Sequence, residues 1–332
     1  MILKRNFSAA RAIAWAVGFL ATALPTWANE FTLAWPVDCA LGETCFLQQY
    51  VDHDLGPGAQ DYTCGPLSYD THTGTDIRVA DLAAMVELGV DVVAAAPGVV
   101  RAIRDGEDDA YLTPERREAL AGRGCGNGVV LDHADGWQTQ YCHLLKGSVS
   151  VARGDQVAVG DRLGEIGLSG FTEFPHLEFI VRKDGEVVDP FAPDTLGKCG
   201  APQTSLWQTT PPYQAGGLLR AGFASEVPEF QAIKEGQARA AQLPSDANAL
   251  VLWGYVFGAR LGDLVKLEIL RPDGSTLLTH EAEISRNRAE LFRAAGRRLR
   301  TNAWGPGRYL GVINLIRDGV EIDRLSTHVT VK

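Results

Sequence analysis

From Asp61 to about Asp189 glycine turns cut the chain into short apolar or alternating runs, and that rhythm favours strands over helices. The runs cover residues 90–96, 99–103, 129–133, 137–144, 163–166 and 177–181. Ala134-Asp135-Gly136 stands between two of them as a hairpin turn. Gly154-Asp155 and Gly160-Asp161 are two tight turns around one short strand. The expected product is a small, curved antiparallel sheet. One piece departs from the pattern. Residues 105–124 are polar, and Thr113-Pro114-Glu115 combines a capping hydroxyl, a proline for the first helical position and an early acid. A short helix on a loop between strands is expected there.

Residues 201–215 are proline-rich and read as a linker. Beyond them, runs at 250–257, 264–270, 309–316 and 326–331 alternate with turns such as Pro272-Asp273-Gly274 and Arg317-Asp318-Gly319. Strands at that spacing, without cysteine, suggest an immunoglobulin-like β-sandwich over 216–332. The chain is therefore expected to be mostly β: an N-terminal segment (29–60), a small curved β domain (61–200), the linker and the sandwich.

The first residues have a different character. Lys4, Arg5 and Arg11 precede an apolar stretch over 12–24, and Pro25-Thr26-Trp27-Ala28 comes next. This is the layout of a secretory signal peptide over 1–28, with cleavage expected after Ala28. Export to the periplasm or cell surface is the consequence, with no stable membrane span once the signal is removed. The remainder carries 28 basic against 41 acidic residues, a net charge of −13. Nucleic acid is excluded as a partner on that ground, because phosphate backbones are bound mainly by Lys and Arg. All six cysteines lie between residues 39 and 199, and an even number in an exported chain implies disulfides. Cys39 and Cys45 are the one pair favoured by loop length.

Three segments carry metal and acid–base character. Thr71-His72-Thr73-Gly74-Thr75-Asp76 puts an imidazole and a carboxylate four residues apart, where Gly74 and the threonines argue against helix. A loop histidine and a strand aspartate then reach one point, or the segment is a solvated polar turn. In His176-Leu177-Glu178-Phe179-Ile180, strand alternation sends Leu177 and Phe179 to the core and leaves His176 and Glu178 side by side on the other face. The third segment, Thr139-Gln140-Tyr141-Cys142-His143, ends a strand in a histidine. His, Asp and Glu are all ligands for a zinc-type ion.

Taken in order, these segments resemble the lysostaphin-like zinc endopeptidases, which include the LytM-type cell-wall hydrolases. His72-Thr-Gly-Thr-Asp76 with Val93-Ala-Ala-Ala-Pro-Gly98-Val is similar to the family's first signature. Gly126-Asn127 to His133, with Tyr141-Cys-His143-Leu144, is similar to its central hairpin, and Ser169-Gly170 to His176-Leu-Glu-Phe179 to its closing segment. The resemblance covers about residues 70 to 190. It implies His72 and Asp76 as zinc ligands and His143 and His176 as the two catalytic histidines outside the metal's ligand set. The family's closing H-L-H becomes His176-Leu177-Glu178 here, which makes Glu178 the third ligand. It implies one zinc ion and a peptidoglycan stem or cross-link peptide as substrate. Two carboxylates offset the charge of Zn²⁺, so the change at Glu178 implies a weaker Lewis acid. It also opens an alternative: a catalytically degenerate member that binds wall or activates a separate amidase. A wall-associated protein partner is the expectation for the sandwich. The remaining histidines, His53, His133, His280 and His328, are expected to be structural or on the surface.

Overall fold

The computed structural model describes residues 1–2 and 30–332. The signal segment and its cleavage point after Ala28 lie outside the described residues, apart from Met1 and Ile2. Thr32–Lys332 is one compact unit, and the strands and helices of the described residues belong to it. Among the described residues no helix is long and apolar enough to cross a membrane.

The chain is mostly β. The first half contains β1 (Phe46–Gln49), β2 (Thr75–Arg78), β3 (Asp91–Val93), β4 (Gly98–Arg104), β5 (Asn127–Asp132), β6 (Trp137–Leu144), β7 (Gln156–Val157), β8 (Arg162–Glu165), β9 (His176–Lys183) and β10 (Glu186–Val188). One open sheet runs β1-β2-β9-β6-β5-β4-β7, with β10 on β9, while β3 and β8 form a separate ribbon. Each expected run falls on a strand, and β7 is the short strand between the two Gly-Asp turns. Along β9 Leu177, Phe179 and Val181 are buried, with Phe179 packed on Tyr141 and Trp207, and on the other face His176 and Ile180 are buried as well while Glu178 is partly exposed. Helix α1 (Leu82–Leu88) is capped by the Asp81 carboxylate on Ala84 N–H. Helix α2 (Pro114–Ala119) is the expected helix on the loop, with Thr113 capping Arg116 N–H at 3.2 Å.

The second half contains β11 (Gly217–Ala224), α3 (Phe230–Lys234), β12 (Gln242–Leu243), β13 (Ala249–Ala259), β14 (Leu264–Leu270), β15 (Thr276–Glu283), β16 (Arg288–Arg298), β17 (Gly307–Arg317) and β18 (Val320–Val331). Two sheets, β11-β13-β16 and β12-β18-β17-β14-β15, share one apolar core. Phe223, Leu250 and Leu252 come from the first sheet and Val265, Leu267, Ile313 and Val329 from the second. This is a two-sheet sandwich.

The six cysteines pair as Cys39–Cys45, Cys64–Cys199 and Cys125–Cys142. Cys64–Cys199 joins the two ends of the 61–200 region, beside a cluster of Tyr50, Tyr62, Phe191 and Tyr213 rings. His53 is buried in the same region. Its Nε2 lies 2.8 Å from Asp189 Oδ2, and its Nδ1 lies 2.6 Å from the Lys198 carbonyl. Both partners are acceptors, so both ring nitrogens donate and the ring is held as the cation. Burial opposes that charge, but Asp189 and the carbonyls outweigh it and raise the pKa above 6.5. A folded pKa above the unfolded one means the pair stabilises fully below about pH 6.5. The contribution fades as pH rises through the elevated folded value. In thermal melts the gap between wild type and Asp189→Asn should therefore be widest at mildly acid pH and shrink in base. A gap independent of pH would show that His53 is neutral in the fold.

Candidate active site

The five residues singled out in the sequence meet at one place. Asp76 and Glu178 are directly paired across β2 and β9, and His176 opens β9 opposite Arg78. His143 is the penultimate residue of β6, the other neighbour of β9. His72 lies on the loop entering β2. Its Nε2 is 3.2 Å from Asp76 Oδ1 and 3.8 Å from Glu178 Oε1. His143 Nε2 is 3.4 Å from Glu178 Oε2, His176 Nε2 is 3.6 Å from Asp76 Oδ1, and the His143 and His176 rings are 4.6 Å apart. His72, Asp76, His143 and His176 are buried, and the Glu178 side chain keeps 15% of its surface exposed.

Backbone carbonyls orient all three rings. His72 Nδ1 donates to Tyr50 O at 2.8 Å, His143 Nδ1 to Ser169 O at 2.6 Å, and His176 Nδ1 to Phe174 O at 2.8 Å. A carbonyl only accepts, so each Nδ1 bears the proton and each Nε2 faces the carboxylates. Burial opposes charge on His72, yet Asp76 and then Glu178 outweigh it and hold its pKa at about 9. Burial also opposes charge on His143, and Glu178 overcomes it to raise that pKa. For His176 burial wins: with His143 adding repulsion against the pull of Asp76, its pKa falls to about 4. Burial raises the carboxyl pKa values, but His72 and His176 hold Asp76 below its ordinary range, and His143 does so for Glu178.

The donor set suits zinc. One imidazole nitrogen and two carboxylate oxygens face each other in a mostly buried space, where a cation offsets the repulsion between the two carboxylates. The elevated His72 pKa is the same statement made with a proton. Zinc–ligand bonds of 2.0–2.2 Å put tetrahedral donors about 3.3 Å apart, close to the 3.2 Å between His72 and Asp76. Among the described residues, however, no three such side chains stand ready around a common point. The donors are gathered but not drawn in.

Several supports left no clear mark in the sequence. The Tyr50 carbonyl comes from the N-terminal segment, and the Tyr69 ring stacks on His72 at 4.3 Å. His143 has φ 65°, a costly conformation for a residue with a Cβ. It is held by its N–H to Cys125 O at 2.8 Å and by the adjoining Cys125–Cys142 bridge. Gly74 has a steric reason. A Cβ there would stand 2.7 Å from Glu178 Cγ and 3.2 Å from Ile180. Gly74→Ala should cost about 1–3 kcal/mol in denaturant unfolding and displace the Glu178 carboxylate, which metal titration would read as weaker zinc retention. Unchanged stability and retention would refute this.

Behind the site lies a junction with the sandwich. Arg78 is fully buried and donates to Gln48 Oε1 at 2.8 Å, Tyr255 OH at 3.1 Å and Glu290 Oε2 at 3.3 Å. Tyr255 OH donates to the same Glu290 carboxylate. The guanidinium lies 4.6 Å over the Phe174 ring, which packs at 4.5 Å on His176. Glu290 and Tyr255 thus support, through Arg78 and Phe174, the residue whose carbonyl orients His176.

Residues 70–190 match the model of Peptidase family M23. Over 68 residues the chain is 41% identical to the cell division protein DipM of Caulobacter vibrioides, covering 20% of this chain and 11% of that protein. Over 102 residues it is 35% identical to the DD-carboxypeptidase/endopeptidase Mpg of Neisseria meningitidis serogroup B, covering 31% of this chain and 21% of that protein. The match thus spans about a fifth or less of these curated relatives. The solved catalytic domain of the prophage-encoded M23 protein EnpA from Enterococcus faecalis is 25% identical, with a TM-score of 0.29, covering 45% of this chain and 92% of that one. The chain carries an M23 peptidase domain.

Proposed function

We propose that the chain is an exported zinc metalloendopeptidase that hydrolyses stem or cross-link peptide bonds of peptidoglycan. One observation carries the reading: His72, Asp76, Glu178, His143 and His176 converge, with all three Nε2 atoms turned toward the two carboxylates. A binding module has no use for that set. His72, Asp76 and Glu178 would hold the ion. Bound there, zinc supplies a Lewis acid and lowers the pKa of water. The chain's own part is proton handling and orientation. One of His143 and His176 accepts a proton at Nε2, and the other donates to the developing oxyanion or the leaving amine. The Ser169 and Phe174 carbonyls hold a proton on both Nδ1 atoms, so the accepting ring is the neutral form with Nε2 free and the donating ring is the imidazolium. The partial exposure of Glu178 marks the side from which a peptide reaches the site.

Purified protein with zinc should release new amino groups from cell-wall sacculi, and His72→Ala and Glu178→Ala should not. Zinc-loaded protein inert on every wall type and cross-link peptide would overturn the proposal. Glu178 favours a second reading, a degenerate member that binds wall or activates a separate amidase. Metal analysis separates the two: about one tightly held ion per chain supports the peptidase, and none supports the regulator.

A further inference from the structure

The sandwich carries a concentration of positive charge that the peptidase reading does not use. Between residues 286 and 300 there are six arginines and one glutamate, in a chain of net charge −10. Arg297, Arg298 and Arg300 join Arg271 around a groove of about 530 Å³ whose wall includes Trp304 and Tyr309. Arg271 is braced by Ser275 Oγ at 3.1 Å and Thr276 O at 2.8 Å. The indole N–H of Trp304 is fixed on Ala247 O at 2.8 Å, and Tyr309 OH on Gly305 O at 3.0 Å. The one acid in the lining, Asp273, is engaged by Ser275 N–H at 2.9 Å and its hydroxyl at 2.6 Å. Among the described residues none of the four arginines has an ion-pair partner within 4.0 Å.

Four arginines outnumber the single Asp273, which already faces Arg271, so the like charges repel one another and a ligand that supplies negative charge relieves this. Guanidinium forks match carboxylate and phosphate oxygens, while a fixed aromatic wall offers a flat apolar face. Glu290, at the junction with the peptidase domain, and Arg298 lie eight residues apart on β16, which is about 26 Å at strand rise. The groove is therefore separate from the candidate active site. We propose that it binds an anionic polysaccharide, a sugar chain bearing repeated carboxylates or phosphates, and so holds the protein to its surroundings independently of any peptidase activity.

The test is calorimetric titration of the full chain with polygalacturonate, neutral dextran and inorganic phosphate. Polygalacturonate should bind and dextran should not. The double variant Arg297→Ala, Arg298→Ala should weaken binding about tenfold or more. Arg286→Ala with Arg288→Ala, which removes the same charge outside the groove, should leave binding unchanged. Matching thermal melts check that each variant folds. No preference for polygalacturonate over dextran would overturn the proposal. Equal losses in the two double variants, or full competition by inorganic phosphate at matched charge, would overturn it as well. No outcome depends on hydrolysis, so the peptidase reading can fail while this one stands.

Discussion

Arg78→Ala should lower unfolding stability by about 3–5 kcal/mol, the usual cost of breaking a buried ion pair and its hydrogen bonds by removing one partner. Removing the guanidinium strips Glu290 of its 3.3 Å partner and Tyr255 OH, Gln48 and two backbone carbonyls of their donor. Lys234, 3.9 Å from Glu290, remains but replaces none of those bonds. Arg78→Lys keeps the charge without the fork, and should recover only part of the loss. Glu290→Gln keeps an acceptor for Tyr255 but leaves the fully buried guanidinium without its carboxylate, so it should also lose stability. Urea unfolding of the three variants checks these losses. A loss for Arg78→Ala of less than about 1 kcal/mol would mean that water enters the junction and the pair is not truly buried.

The second large effect concerns chemistry. If the peptidase reading holds, His143→Ala and His176→Ala should each reduce turnover about 10²–10⁴-fold, the usual worth of a positioned acid or base. Metal content should stay near wild type, since neither residue belongs to the proposed ligand set. The double variant should be little worse than the poorer single one, because groups acting in one proton relay are not additive. His72→Ala should behave differently and lose metal and turnover together. Measuring zinc and amino-group release on the same preparations separates the two patterns. Loss of metal in His143→Ala would move that residue into the ligand set.

Much of the site was legible because its residues carry chemistry in local patterns. His72 and Asp76 stand four apart around a glycine, and strand alternation alone places His176 and Glu178 on one face. Strands β3, β4, β5, β6, β8 and β9 were legible for the same reason, since each falls in an apolar or alternating run bounded by turns. What escaped were features that depend on distant pairing. β1 is a four-residue run, FLQQ, with two glutamines, and reads as strand only because β2 lies beside it. Arg78 looks like any strand-end arginine until the sandwich covers it. The pairing of Cys64 with Cys199 spans 135 residues, which no spacing rule reaches. The helix cap at Thr113 was readable, because capping is a contact three residues long.

The N-terminal segment bears on how this protein should be handled. A fragment trimmed to residues 70–190 would look complete by its motifs yet lack the Tyr50 carbonyl that orients His72. It would also lose the strand that covers β2, the imidazole that neutralises Asp189, and the Trp207 ring packed on Phe179. Such a piece would carry every signature residue and the β2–β9 pairing, but with His72 no longer oriented and one edge of the sheet uncovered. A portion worth purifying starts upstream of Phe46 and keeps the sandwich strands that carry Tyr255 and Glu290, and an inert shorter clone would not bear on the peptidase proposal.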